Sequence, residues 1–138
     1  MTASHSFALK TEGFNDTHDL TARVEEIVRK AKLGNGIVTV FARGSTAAIT
    51  TIEFEGGAVE DLKKAIERLA PQNIHYDHDK RWGDGNGFSH IRAALLGPSL
   101  TVPVTNGELQ LGTWQQIVLV DFDNRPRQRE VLVQLVGE

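Results

Sequence analysis

The chain contains no cysteine. Disulfides, thiolate metal sites and cysteine nucleophiles are therefore excluded, and the absence fits a cytoplasmic protein. No uninterrupted apolar run approaches the roughly 18 residues that a membrane-crossing helix requires, so no partnership with a membrane is expected. Residues 1–10 lack a basic segment followed by an apolar stretch, so no secretory signal is expected there. An excess of positive charge is missing too: 15 Lys and Arg stand against 18 Asp and Glu, a formal charge of −3. A nucleic-acid binder usually shows a basic face, so that class of partner is not expected. Internal repeats, linkers and low-complexity tracts are also absent. What remains is an ordinary globular balance, 40% apolar and 24% charged over 138 residues, which suits one domain spanning 1–138.

Apolar spacing sets the expected elements. Phe7 and Leu9 lie two apart within 4–10, which predicts a strand. Residues 15–19 are rich in helix-capping types. Leu20, Val24, Ile27, Val28 and Ala31 then recur at helical spacing, and Gly34 and Gly36 end the run. Residues 37–42 are apolar on both faces and predict an interior strand; 48–54 predict a second. Arg43-Gly44-Ser45-Thr46 lies between them as a turn. Val59, Leu62, Ile66 and Leu69 define an amphipathic helix stopped by Pro71. Residues 74–87 read as loop. A short helix is expected over 88–96, ended by Gly97-Pro98. A strand over 99–104 follows, in which Pro103 suggests an edge or a bulge, and Asn106-Gly107 is a two-residue hairpin turn. Residues 109–122 and 130–136 read as the last strands, joined by Asp123-Asn124-Arg125-Pro126. Their apolar residues lie on both faces, so cover on both sides of this sheet is expected. The order β-α-β-β-α-loop-β-β-β predicts a single compact α+β domain, with a mixed or antiparallel sheet core and two main helices.

Chemistry concentrates in residues 76–115. His78 and His90 flank Gly83-Asp84-Gly85-Asn86-Gly87, twelve residues apart and both in polar surroundings. Neutral imidazole ligates divalent metals, and its near-neutral titration suits acid–base work; two surface histidines beside a loop are the alternative. In the glycine loop, Gly85, Asn86 and Gly87 precede a helix start, where backbone N–H groups can face a phosphate. The loop lacks the lysine of a Walker motif and the ligand spacing of an EF-hand, and a plain surface turn explains it equally well. Arg43, Ser45 and Thr46 form a second glycine-hydroxyl turn, where Arg43 or Arg92 could supply charge to a phosphate. Glu53 ends a mostly apolar strand and could act as a base or metal ligand, or simply mark the exit to solvent. Trp114 and Gln115 follow Gly112. Trp114 suits either core packing or the wall of a pocket for an aromatic ring. His5, His18 and His75 stand in no such constellation.

Three segments together resemble the YjbQ-like family: residues 108–116 (Glu-Leu-Gln-Leu-Gly-Thr-Trp-Gln-Gln) with the following Val-Asp-Phe-Asp-Asn-Arg-Pro-Arg, residues 89–99 (Ser-His-Ile-Arg-Ala-Ala-Leu-Leu-Gly-Pro-Ser), and Tyr76-Asp77-His78. The resemblance runs from the first helix to the end of the chain. It implies a compact α+β fold, a homotrimer, and a secondary thiamine-phosphate synthase. That transferase joins a hydroxymethylpyrimidine diphosphate to a thiazole phosphate and releases pyrophosphate. It also implies a histidine cluster that serves as metal or active site, so a divalent ion, magnesium or zinc, is expected at His78 and His90, with Glu53 as a further candidate. Two departures stand out. Many members carry His-Thr-Ser/Thr-Ala where this chain has Gly44-Ser45-Thr46-Ala47, and a histidine where it has Phe88. They leave two alternatives open: a non-catalytic homotrimer binding a metal or a small phosphorylated ligand, and a metal-dependent phosphate-ester hydrolase.

Overall fold

Val38, Val40 and Ala42 are buried while Ile37, Phe41 and Arg43 are exposed, the alternation of a strand with one face inward. A computed structural model describing residues 1–138 shows how that pattern is used. The first half comprises β1 (Thr2–Thr11), β2 (Asp16–Asp19), α1 (Thr21–Ala31), β3 (Gly36–Arg43), β4 (Ala47–Ile52) and α2 (Gly56–Leu69). The second comprises α3 (Asp77–Trp82), α4 (Gly87–Leu96), β5 (Ser99–Thr105), β6 (Glu108–Leu109), β7 (Gln116–Asp121) and β8 (Arg127–Gly137). The fold is α+β, and every strand pairing is antiparallel. No helix is long and apolar enough to cross a membrane.

The strands form two sheets, a five-stranded one ordered β1-β8-β3-β5-β6 and a three-stranded one ordered β2-β7-β4. Val38 and Val40 of β3, Val102 and Val104 of β5, and Val131, Val133 and Leu135 of β8 meet Ile49, Ile117 and Leu119 of the smaller sheet. Helix α1 adds Leu20, Val24 and Val28 to that core. The other face of the smaller sheet presents Ala48, Val118 and Val120 to Ile66 of α2 and Ala93 of α4. The layers are therefore sheet, sheet, helices. Of the two last strands, β7 is covered on both faces, as expected, but β8 is covered on one face only. The outward residues of β8, Glu130, Gln134 and Val136, are exposed.

Several local expectations change. Arg43-Gly44-Ser45-Thr46 is a turn, but the strands it joins do not pair: β3 pairs with β8 and β5, β4 pairs with β7, and the turn carries the chain from one sheet to the other. Residues 109–122 are not one strand. Gln115 N–H donates to Gly112 O at 3.0 Å and closes a turn that separates β6 from β7. Residues 16–19 form β2 rather than a capping segment, although Asp19 still accepts from Thr21 N–H at 2.9 Å. The stretch read as loop contains α3, with Asp77 and Asp79 in its first turn, Lys80 and Arg81 in its last and Gly83 closing it in the left-handed conformation. These charges match the helix dipole, but six residues are too few for a periodic apolar signal. The Asn106-Gly107 turn is as expected, with φ of 51° and 78°.

Glycine serves close approach at one sheet end. Gly36 faces Gly137 across β3 and β8, and a Cβ at Gly36 would lie 2.1 Å from Val136 O. A Cβ at Gly56, in the first turn of α2, would meet nothing within 4 Å. Urea unfolding is therefore expected to show Gly36→Ala less stable by about 2 kcal/mol or more, since overpacking is relieved only by moving backbone. Gly56→Ala is expected to be neutral or more stable by up to about 1 kcal/mol. Equal stabilities would refute the close approach.

Candidate functional site

Strand β7 ends in Asp121, and Asp123 follows two residues later; both side chains are fully shielded from solvent. A buried carboxylate is tolerated only when its oxygens are bonded. Asp121 accepts from Arg129 Nε at 2.6 Å, Arg129 Nη2 at 2.9 Å and Thr11 Oγ1 at 2.6 Å. Asp123 accepts from Arg127 Nε at 2.7 Å, Thr46 Oγ1 at 3.0 Å, Asn86 Nδ2 at 3.2 Å and its neighbour Asn124 N–H at 2.8 Å. Burial pushes the Asp123 carboxyl up. The donors, led by the Asn124 N–H and followed by Asn86, Arg127 and Thr46, outweigh it and hold the group at about 2.

This pair of carboxylates lies behind the floor of a cavity of about 470 Å³ and holds the arginines that line it. Ser45 and Thr46 from the sheet-switching turn, His78 and Trp82 from α3, and His90 from α4 line it, with Asp84 and Asn86 from the glycine loop and Arg127 and Arg129 from β8. Asn86 links floor to wall: it donates to Asp123, and its Oδ1 meets His78 Nε2 at 3.1 Å. Asp84 Oδ1 lies 3.4 Å from the same His78 nitrogen. The rings of His78 and His90 sit 4.2 Å apart between centroids, tilted by 45°. Burial and the neighbouring His78 hold His90 below the ordinary histidine value, with Asp84, Asp123 and Asp79 partly offsetting them. Arg129 Nη1 and both Nη atoms of Arg127 make no hydrogen bond within the chain. The cavity thus offers guanidinium donors, the Ser45 hydroxyl and two imidazoles, while the Thr46 hydroxyl is engaged by Asp123 and Arg129.

The structure brings together His78, His90, Ser45, Thr46 and Asn86 of the expected set. It does not bring the others. Glu53 lies exposed beyond the far end of β4, about 20 Å of extended chain from Ala47. Arg43 points outward from β3 and reaches Glu130 at 3.7 Å. Arg92 is buried, donates to Ala70 O at 2.9 Å and Asn15 Oδ1 at 3.0 Å, and pairs with Glu67, so it clamps α4 to its neighbours. The Gly87 N–H donates to Asp79 at 2.8 Å, and a Cβ at Gly87 would lie 2.5 Å from Tyr76 Cβ, so this glycine serves packing rather than an anion. Gly85 turns the loop with φ 69° and does not line the cavity. Trp114 is 71% exposed, and Gln115 bonds Thr51 at 3.2 Å in a different recess, because residues 110–115 form a turn outside both sheets. Trp82, Asp84, Arg127 and Arg129 were not singled out in the sequence. For the two arginines the signal was the alternating Asp-Phe-Asp at the end of an apolar strand, since carboxylates entering a core demand nearby cations; Trp82 and Asp84 had none.

A zinc ion fits this donor set poorly. Nowhere in the chain do three or more His, Asp or Glu side chains converge in a way that could hold an ion, whereas protein zinc sites use three or four. His78 Nε2 is already engaged with Asn86, and Glu53 is remote.

The YjbQ-like family model, described as UPF0047 protein YjbQ-like, matches residues 5–138. The chain belongs to this family. It is similar to a UPF0047 protein of Methanothermobacter thermautotrophicus, 38% identical over 130 residues, covering 94% of this chain and 89% of the relative. A UPF0047 protein of Archaeoglobus fulgidus is 40% identical over 125 residues, 91% and 94% of the two chains. Among solved structures, a YbjQ-like protein of unknown function from Sulfolobus solfataricus superposes with a TM-score of 0.90 at 32% identity over the full length of both chains. A hypothetical protein from Aeropyrum pernix gives 0.91 at 33%, covering 99% of each.

The two departures from the YjbQ-like pattern have a local physical account. Gly44 has φ +134°, and a Cβ there would stand 2.8 Å from Arg129 Nη1. Phe88 is buried, stacks on Phe14 at 6.5 Å and lies under the Arg92 guanidinium at 4.9 Å, in the core rather than in the cavity. The carboxylate behind the floor makes a pH prediction. Asp123 titrates at about 2, below its ordinary value of 3.8, so its contribution to stability is full above the ordinary carboxylate range and lost as pH falls toward 2. Urea midpoints measured from pH 5 to pH 2 are expected to fall more steeply for wild type than for Asp123→Asn. Parallel curves would mean that the carboxylate is not held as described.

Proposed function

We propose that this cavity binds a small phosphorylated molecule and that the chain is a transferase of the thiamine-phosphate synthase type. One observation supports the reading most: two guanidinium groups, fixed from behind by buried carboxylates, turn unbonded N–H edges toward the same cavity as the imidazole pair. In the proposed reaction the carbon–oxygen bond between the pyrimidine and its diphosphate breaks, and the electron pair departs with pyrophosphate. The ring nitrogen of the thiazole phosphate gives its lone pair to that carbon and becomes cationic, so no proton is released. Negative charge grows on the departing group, and pre-oriented donors stabilise it more than water does, because they need no reorganisation. Arg127 and Arg129 take that role, Ser45 adds a hydroxyl contact, and His78 or His90 donates a hydrogen bond or a proton to the departing pyrophosphate oxygen. Arg127 and Arg129 replace Arg43 and Arg92 as phosphate donors in this reading.

Gly44 and Phe88, standing where many relatives carry histidine, favour a second reading: binding of the same ligand class without turnover. One assay separates them. Purified chain with both substrates and magnesium is expected to form thiamine phosphate, and Arg127→Lys is expected to lower kcat/KM by about 100-fold, the usual effect of losing an aimed donor. No product, together with ligand-dependent thermal stabilisation, would leave the binding reading in its place.

We also propose that the chain assembles as a homotrimer through the uncovered face of the larger sheet. Ile37, Phe41 and Val136 are 45%, 38% and 46% exposed there; Ile37 pairs with Val136 across β3 and β8, and Phe41 pairs with Leu132 four residues along the same face. A patch of this kind suits burial against another copy. Sedimentation is expected to give three times the chain mass of 15.2 kDa for wild type and a smaller species for Phe41→Glu. A monomeric wild type would remove the proposal.

A further inference from the structure

The polar cavity has an apolar neighbour. A second recess of about 280 Å³ shares Gly44, Ser45 and His90 with it, and its remaining walls are Ala47, Ala93, Ala94 and Pro98. No Lys, Arg, Asp or Glu lines this recess. Helix α4 explains the wall. His90, Ala93 and Ala94 lie at i, i+3 and i+4, so the imidazole and two methyl groups share one helix face. Ala47 and Ala93 are buried and belong to the packed layers, which fixes the floor. Ala94 and Pro98 are exposed and form the rim. Gly44 stands where the two recesses meet, and it has no side chain to divide them.

We propose that the two recesses are halves of one binding site, and that the alanine-walled half takes a small uncharged ring carried by the phosphorylated ligand. The inference rests on the phosphate reading of the polar cavity. A ligand that spans both halves places its phosphate on the Arg127 and Arg129 edges and its ring on the methyl groups, with His90 between them. A charged group in the apolar half would lose hydration and find no partner. A ring gains, because the methyl walls and its own faces leave water together. Ala93 and Ala94 set the room available, so they determine specificity rather than chemistry. A larger residue at 94 narrows the recess from its rim without touching the core.

The chain carries its own reporter. Trp82 lines the polar cavity, and Trp114, the other tryptophan, lies outside it. In a Trp114→Phe background, Trp82 fluorescence is titrated with methyl phosphate and with phenyl phosphate, two monoesters alike in charge. Phenyl phosphate is expected to bind about tenfold tighter, the effect of removing roughly 55 Å² of apolar surface from water. Ala94→Leu is expected to bring the ratio of the two affinities close to one. Equal affinities in wild type, or a ratio that Ala94→Leu leaves unchanged, would overturn the ring subsite while methyl phosphate binding kept the polar cavity reading intact. Binding of neither monoester would overturn both.

Discussion

Two carboxylates with no access to water hold this molecule's working end together. Asp121 and Asp123 sit at the exit of the most deeply buried strand, and the cost of stripping them of water is met only by the arginines, hydroxyls and amides around them. Removing one partner would leave a buried charge uncompensated, so neither ion pair is optional. The donors come from separate parts of the chain: Thr11 from β1, Thr46 from the turn between sheets, Asn86 from the glycine loop, Arg127 and Arg129 from β8. Satisfying the carboxylates therefore also fixes the relative position of both sheets and the loop. No buried side-chain polar atom in the chain is left without a partner.

The cavity follows from that constraint. Arg127 and Arg129 are used on one edge by the carboxylates, which leaves their other edges pre-oriented toward the cavity. Asn86 passes the same order on to His78, and the short helix α3 brings His78 against His90 of α4. The aspartates behind the arginines lower the net charge of the region, so what the cavity offers is aimed N–H donors more than a surplus of positive charge. The apolar recess beside the cavity exists because α4 presents alanines where it passes Ala47.

Arginine roles illustrate how a sequence can mislead. Arg43 and Arg92 stand beside glycine and histidine in the chain, and that proximity made them phosphate candidates. Arg92 instead clamps α4 to Glu67 of α2, Ala70 and Asn15, with its guanidinium over Phe88. Arg43 belongs to the outward face of a strand whose register sends alternate residues to solvent. Arg127 and Arg129 lie more than thirty residues beyond the glycine loop, and only β8 pairing beside β3 carries them back to it.

Local periodicity by itself determined the two main helices, the strands around Val38, Ile49, Val102 and Val133, the Asn106-Gly107 turn and the α+β class. Each rests on residues within one or two turns of one another, where spacing and side-chain shape decide the backbone. The same locality drew attention to His78, His90, Ser45, Thr46 and Asn86. Tertiary structure alone decided that Arg43-Gly44-Ser45-Thr46 joins two sheets instead of closing a hairpin, and that residues 109–122 divide between them. It likewise decided that Glu53, Trp114 and Gln115 stand apart from the histidines. Strand partners are chosen by burial of whole faces and by satisfaction of distant charges, and neither is a property of neighbouring residues in the chain.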